Sequence, residues 1–181
     1  MLKKIPNILT IGRIIIVPFF VLAFYLPGFY GDLTALILFI IASFTDFLDG
    51  MLARMFGGES KLGELLDPIA DKILIVFILI GLSVDLDSFL IAFLGSLIIA
   101  REIGVSALRD YSSRNNKSHK TKVTYLAKIK TSVQLFSIGL YLFALAFSFN
   151  LLIIIGDIFL ITATLITIYT GYEYTFNVFK K

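Results

Sequence analysis

The stretch DFLDGMLARMFGGESKLGELLDPIAD, residues 46–71, places aspartates at the facing ends of two long apolar segments. They are Asp46, Asp49, Asp67 and Asp71. A carboxylate at membrane depth is costly to insert, so an acidic residue there indicates a functional site. Several carboxylates close together also repel one another unless cations lie between them. The stretch therefore predicts a cation-binding site where two helices end.

The composition is that of a membrane protein. Of the 181 residues, 58% are hydrophobic and 16% are charged, whereas soluble domains have about 45–50% apolar and about 25% charged residues. Cysteine is absent, which excludes thiolate metal sites and catalytic thiols. The net charge of +3 is small, and we expect no nucleic-acid partner.

Several segments are long enough to cross a bilayer as helices, which takes about 20 apolar residues. They cover roughly residues 8–27, 34–55, 61–82, 88–110, 123–148 and 151–176. Turn or charged residues separate them, and none shows the alternation of a strand. We predict an all-α integral membrane protein, a bundle of six transmembrane helices forming one domain over residues 1–181. The first residues, MLKKIPNILT, are expected along the membrane interface before the chain enters it.

Basic residues gather at alternate linkers, and such linkers stay in the cytoplasm. They are Lys3, Lys4, Arg13, Arg54, Lys61, Arg109, Arg114, Lys117, Lys120, Lys122, Lys180 and Lys181. The other linkers carry only Asp32, Asp85 and Asp87. Both termini and the aspartates of residues 46–71 are therefore predicted on the cytoplasmic side of a bacterial-type inner membrane. The basic linkers are expected to meet anionic membrane lipids.

The residues of the 46–71 stretch fall on two helical stripes. The first stripe carries Asp46, Asp49, Gly50 and Ala53, and the second carries Gly63, Asp67 and Asp71. The short connection between the helices predicts that they are antiparallel neighbours whose stripes face each other. For Asp67-Pro68 two interpretations stay open: a helix N-cap with proline at the first position, or a kink within a helix already begun near Lys61.

Carboxylates without cysteine or histidine favour Mg²⁺, Mn²⁺ or Ca²⁺. This number of carboxylates suits two cations that bridge a phosphate-bearing substrate. Arg54 lies beside them and offers a donor fork for phosphate oxygens. A divalent-cation transporter is the alternative from another class, although its carboxylates would lie nearer the middle of the bilayer.

The pattern Asp46-x2-Asp49-Gly50-x2-Ala53-Arg54-x8-Gly63-x3-Asp67-x3-Asp71 resembles the signature of the CDP-alcohol phosphotransferase family, with every fixed position present. The resemblance implies a six-helix membrane enzyme, usually a homodimer, in which an alcohol displaces CMP from a CDP-linked substrate. It implies that Asp46, Asp49, Asp67 and Asp71 bind two ions of Mg²⁺ or Mn²⁺. Asp71 would also take the proton of the alcohol.

The same resemblance implies a nucleotide site. Gly50, Ala53 and Gly63 would leave room for the cytidine, and Arg54, with Thr45, would contact the diphosphate.

Other segments suggest the acceptor alcohol. The patterns at residues 5–18, 101–111 and 128–131 are similar to those of family members that use CDP-diacylglycerol and sn-glycerol 3-phosphate. This acceptor is a small dianion, and we expect Arg101, Arg109 and Lys130 to bind its phosphate. Lys128 and Lys130 lie about 200° apart on a helix, so they cannot both face one pocket.

Lys130 is the better candidate of these two lysines. It forms a polar stripe with Gln134 and Ser137, and interior polar faces mark sites in membrane proteins. Other acceptors, namely inositol phosphate, serine or phosphatidylglycerol, remain as alternatives within the family.

Overall fold

The chain folds into helices alone over the residues that the structure, a computed structural model, describes: 5–26, 28–56, 61–115 and 125–180. The helices are α1 (Ile5–Tyr25), α2 (Phe29–Phe56), α3 (Lys61–Asp85), α4 (Phe89–Arg114), α5 (Tyr125–Phe147) and α6 (Asn150–Phe179). The predicted all-α class is thus confirmed.

Several helices are typical of a multi-pass membrane protein. Within the described residues, 4 stretches are long and apolar enough to cross a bilayer: Phe29–Leu48, Phe89–Arg114, Ile129–Phe147 and Asn150–Phe179. The apolar part of α1, Leu9–Tyr25, is shorter. The helix α3 is not among them, because its first half carries charged residues between the apolar ones.

Two helices begin several residues before their sequence-based bounds, and a third decides between the two interpretations of Asp67-Pro68. The helix α1 already begins at Ile5 and runs through Pro18, so the residues from Ile5 onward are part of one helix. The helix α2 begins at Phe29, with Asp32 in its first turn, where a carboxylate complements the helix dipole. Pro68 lies inside α3, which starts at Lys61. The N-cap interpretation of Asp67-Pro68 was therefore wrong.

The helices pack as a closed ring rather than in chain order. Going round the ring, the order is α1, α2, α5, α6, α4 and α3, and α3 also touches α5 across it. Over the described residues α2 and α3 do not pack directly on each other, although they follow each other in the chain. The prediction that α2 and α3 are direct neighbours was wrong over these residues, because α1 packs against both helices.

Buried apolar stripes hold α1 on α3. Val17, Phe20 and Ala23 supply the stripe of α1, and Leu74 and Ile78 belong to that of α3. At Gly81 the two helices come so close that an added Cβ would lie 2.4 Å from the Phe24 ring. A glycine at this position is therefore required by the spacing of the helices.

Asp157, which the sequence left without a role, has a partner on the neighbouring helix. The hydroxyl of the fully buried Tyr141 donates a hydrogen bond to its carboxylate at 2.7 Å. One turn earlier on α5, Ser137 donates to the carbonyl oxygen of Gly156 at 2.8 Å. These bonds between α5 and α6 satisfy polar groups that lipid cannot hydrogen-bond.

We expect Gly156→Ala to destabilise the protein by about 1–3 kcal/mol, because overpacking forces buried neighbours to shift. The new Cβ would lie 2.9 Å from the ring of Tyr141, which has no space to move. The measurement is the melting temperature in detergent. Gly104→Ala is the matched control, since a Cβ there meets nothing within 4 Å. Equal melting temperatures of the two variants would contradict the prediction.

Candidate active site

Arg13 of α1 joins two of the aspartates. One nitrogen of its guanidinium, Nη1, lies 2.9 Å from Oδ1 of Asp46 and 2.6 Å from Oδ1 of Asp71. The Arg13 side chain has no exposed surface, whereas those of Asp46 and Asp71 are 54% and 50% exposed. Arg13 therefore contacts both carboxylates from their buried side.

A second residue of α1 contacts a third aspartate. Thr10, which is fully buried, donates its hydroxyl hydrogen to Oδ1 of Asp67 at 2.5 Å. Thr10 and Arg13 lie one turn apart on α1, and Asp67 and Asp71 lie one turn apart on α3. The hydrogen bonds of Thr10 to Asp67 and of Arg13 to Asp71 thus lie at one end of the contact between α1 and α3.

The structure describes only part of the predicted nucleotide site. Gly63 is buried, and the Thr45 hydroxyl donates to the carbonyl oxygen of Ala42 at 2.8 Å within its own helix. The side chains of Asp49, Gly50, Ala53 and Arg54 lie outside the described residues.

A cavity of about 570 Å³ opens beside Asp46 and Asp71. Residues of α3, α4 and α5 form most of its wall, and Asp46 is the contribution of α2. Part of the wall is apolar, formed by Ile75, Val76, Ile98, Ile99 and Leu135. The charged part carries both signs, with Asp46, Asp71 and Glu102 against Lys72, Arg101, Arg109 and Lys130. This volume is typical of a site for a small molecule.

Arg101 is held in place by α6. Its Nε donates to the carbonyl oxygen of Thr167 at 3.0 Å, and its Nη2 donates to the hydroxyl of Thr170 at 2.7 Å. Its stem passes over Gly171, where an added Cβ would lie 3.0 Å from Arg101 Cγ. A side chain fixed at so many points is ordered before any ligand arrives, so little conformational entropy is lost on binding.

Glu102 lies between two cationic side chains. It accepts hydrogen bonds from Lys130 and, at 3.2 Å, from Nη1 of Arg101. Lys130 is buried on α5 in the same stripe as the buried Gln134. A buried ammonium needs such a partner, because an unpaired charge in the protein interior is strongly destabilising.

Two further cations line the cavity. Lys72, which directly follows Asp71, donates a hydrogen bond to the hydroxyl of Ser106. Arg109 lies with its guanidinium carbon 5.3 Å from the ring centre of Tyr174 and donates to the Tyr174 hydroxyl at 3.3 Å. Arg101 is also close to this ring, at 5.7 Å. The tyrosine thus positions both arginines through cation–π contacts.

Comparison with known proteins identifies the family. The family model described as CDP-alcohol phosphatidyltransferase matches residues 3–169, which is most of the chain. The chain belongs to the CDP-alcohol phosphatidyltransferase family. It is therefore a transferase and a membrane enzyme of phospholipid biosynthesis, as its sequence pattern predicts.

Curated relatives carry a more specific name. Proteins named CDP-diacylglycerol–glycerol-3-phosphate 3-phosphatidyltransferase from Escherichia coli K12, Escherichia coli O157:H7 and Shigella flexneri serotype 5b are each 36% identical to this phosphatidyltransferase over 136 residues. The matched region covers 75% of this chain and 75% of each relative.

The carboxylates fit the divalent metal that this family uses. Asp46 and Asp71 offer hard oxygen donors, are half-exposed and line the cavity. Arg13 contacts them from behind, which leaves their exposed sides available. Among the described side chains, no group of three acidic or histidine residues is close enough to hold a metal by itself. The side chain of Asp49, the remaining aspartate of the signature, lies outside the described residues.

Several polar residues of the site could not be identified from the sequence. Thr10 belonged only to an N-terminal pattern, and Arg13 also counted among the basic residues that indicate the orientation. Lys72 and Glu102 were given no role. A signal existed for Arg13, because a charged side chain inside the apolar run of α1 indicates a buried partner. The partners themselves lie far along the chain and could not be identified from spacing.

Proposed function

We propose that this phosphatidyltransferase transfers the phosphatidyl group of CDP-diacylglycerol to sn-glycerol 3-phosphate, giving phosphatidylglycerol phosphate and CMP. One observation carries the proposal: carboxylates and fixed cationic side chains share a single cavity of about 570 Å³. The names of the curated relatives support these substrates.

The donor would bind at the carboxylate end. Asp46, Asp49, Asp67 and Asp71 would hold two ions of Mg²⁺ or Mn²⁺. When bound, such ions neutralise the charge of the diphosphate and of the transition state. Thr45 and Arg54 would contact the diphosphate, and Gly50, Ala53 and Gly63 would leave space for the cytidine.

The acceptor would bind at the cationic end. Arg101, Arg109 and Lys130 would hold its phosphate, and α6 keeps Arg101 in position through Thr167 and Thr170. Glu102 balances part of this charge before the acceptor arrives. A phosphorylated alcohol would compete with Glu102 for Lys130, whereas a neutral alcohol offers no anion to do so.

The transfer itself is an in-line displacement. The 1-hydroxyl oxygen of sn-glycerol 3-phosphate forms a bond to the phosphorus next to the diacylglycerol, and the bond from that phosphorus to the CMP oxygen breaks. Asp71 takes the hydroxyl proton as general base, and CMP leaves with the electron pair of the broken bond. Asp71 lines the cavity that also holds the cationic side chains, so it is suitably placed to receive this proton.

We further propose that the chain is one domain of six transmembrane helices, with both termini and the active site on the cytoplasmic side of the inner membrane. The distribution of basic residues supports this orientation. The homodimer implied by the family resemblance is part of the same proposal.

Release of CMP from CDP-diacylglycerol by the purified protein tests the reaction. With Mg²⁺ present, we expect kcat/KM for sn-glycerol 3-phosphate to exceed that for serine or phosphatidylglycerol by about a hundredfold, because these acceptors offer no terminal phosphate to the cationic groups. Inositol phosphate carries a phosphate on a different alcohol, so its turnover shows whether the charge or the shape of the acceptor determines the preference. EDTA should abolish turnover. No turnover with sn-glycerol 3-phosphate would overturn the proposal, and Mg²⁺ flux into liposomes without CMP release would favour a transporter.

Substitution of the two neighbouring lysines tests the acceptor site. Lys130→Met should raise KM for sn-glycerol 3-phosphate about tenfold or more, since a hydrogen bond to a charged group contributes about 1.5–3 kcal/mol. Lys128→Met is the matched control and should have little effect. Equal KM values for the two variants would show that Lys130 does not bind the acceptor phosphate.

The absence of cysteine makes the orientation testable with single cysteine variants. We expect Asn115→Cys, at the end of α4, to react with an impermeant maleimide only when the cytoplasmic side is open. Val84→Cys, in the exposed last turn of α3, should react in intact cells with a permeable outer membrane. The reverse labelling pattern would overturn the proposed orientation.

A further inference from the structure

Two polar side chains of α1 are buried where apolar ones would be expected. Thr10 is 0% exposed and Arg13 is 1% exposed, and both continue the buried stripe of Val17 and Phe20. Replacing a buried ion pair by apolar residues is often neutral or stabilising. The stability of the fold alone therefore does not explain why Arg13 is buried against carboxylates. These two residues therefore call for an explanation through the groups that they contact.

All of the described signature aspartates are contacts of this pair. The Thr10 hydroxyl donates to Oδ1 of Asp67 at 2.5 Å, and Arg13 Nη1 lies 2.9 Å from Asp46 and 2.6 Å from Asp71. The Asp46 and Asp71 side chains are nevertheless 54% and 50% exposed, so both carboxylates keep surface that a ligand can reach.

The arrangement of the helices gives this contact its importance. Across the described residues α2 and α3 do not pack on each other, while α1 packs on both. Asp46 of α2 and Asp71 of α3 are therefore brought together through Arg13. A guanidinium between two carboxylates also offsets their mutual repulsion, which would otherwise separate them.

We propose that Thr10 and Arg13 are positioning residues that orient Asp46, Asp67 and Asp71 for binding divalent cations. The inference rests on the proposed function, because it assumes that these aspartates bind metal. Outer partners of this kind fix the orientation of metal ligands, and losing one typically lowers metal affinity about 10–100-fold. Thr10 and Arg13 do this from the buried side, without lining the cavity themselves.

Binding of Mn²⁺ to the purified full-length protein, followed by electron paramagnetic resonance, tests the inference. Thr10→Val keeps the shape of the side chain and loses the hydroxyl, whereas Thr10→Ser keeps the hydroxyl. We expect Thr10→Val to raise the Kd for Mn²⁺ about 10–100-fold, and Thr10→Ser to stay near the wild type. The KM for sn-glycerol 3-phosphate should change little in either variant, since the cationic end is untouched.

The outcomes are distinguishable. An unchanged Kd in Thr10→Val, or equal weakening in Thr10→Val and Thr10→Ser, would overturn the inference and leave the proposed function intact. A wild-type protein that does not bind Mn²⁺ would overturn both. If Thr10→Val does not fold, as judged by its melting temperature in detergent, Arg13→Lys provides the same test. It keeps the charge but not the planar fork, and the Kd for Mn²⁺ should again rise about 10–100-fold.

Discussion

The contact of Arg13 with Asp46 and Asp71 is the interaction on which the site depends. It ties together α1, α2 and α3 at the polar end of a bundle whose other contacts are mainly apolar. A buried guanidinium requires anionic partners, and two neighbouring carboxylates require a cation. The guanidinium of Arg13 and the two carboxylates meet each other's requirement, so the same contact stabilises the fold and the candidate site. The cavity begins at these two carboxylates and extends between α3, α4 and α5.

Charge in the cavity is separated into two regions. Asp46 and Asp71 of α2 and α3 are the carboxylates of one region, and Arg101, Arg109 and Lys130 of α4 and α5 are the cations of the other. Lys72 of α3 is a further cation in the wall and donates to Ser106 of α4. Glu102 moderates the second region, since Arg101 and Lys130 would otherwise repel each other across it. Fixed charges of this kind need no reorganisation when a charged substrate enters, which is the physical basis of electrostatic catalysis. A phosphate-transfer enzyme gains from having both regions ready in advance.

The sequence predicts the elements of this protein better than their packing. Apolar runs indicated the helices, and the spacing of Lys130, Gln134 and Ser137 indicated a stripe that is indeed buried. The ring order was not predictable, because lipid-facing and core-facing positions of a membrane helix are both apolar. The short connection between α2 and α3 predicted that they are neighbours, but α1 packs against both instead. The partners of Arg13, Glu102 and Lys72 depend on that order, so they became visible only in the structure.

The helix α6 sets the width of the cavity from outside it. Across the described residues α4 and α5 do not pack on each other, and each is seated on α6 instead. Glycines of α6 determine how closely they sit: Gly171 lies under Arg101 of α4, and Gly156 lies under Tyr141 of α5. The last helix thus acts as a spacer between the two walls that hold the cations. Sequence changes on α6 can therefore alter the width of the cavity without altering any side chain that lines it.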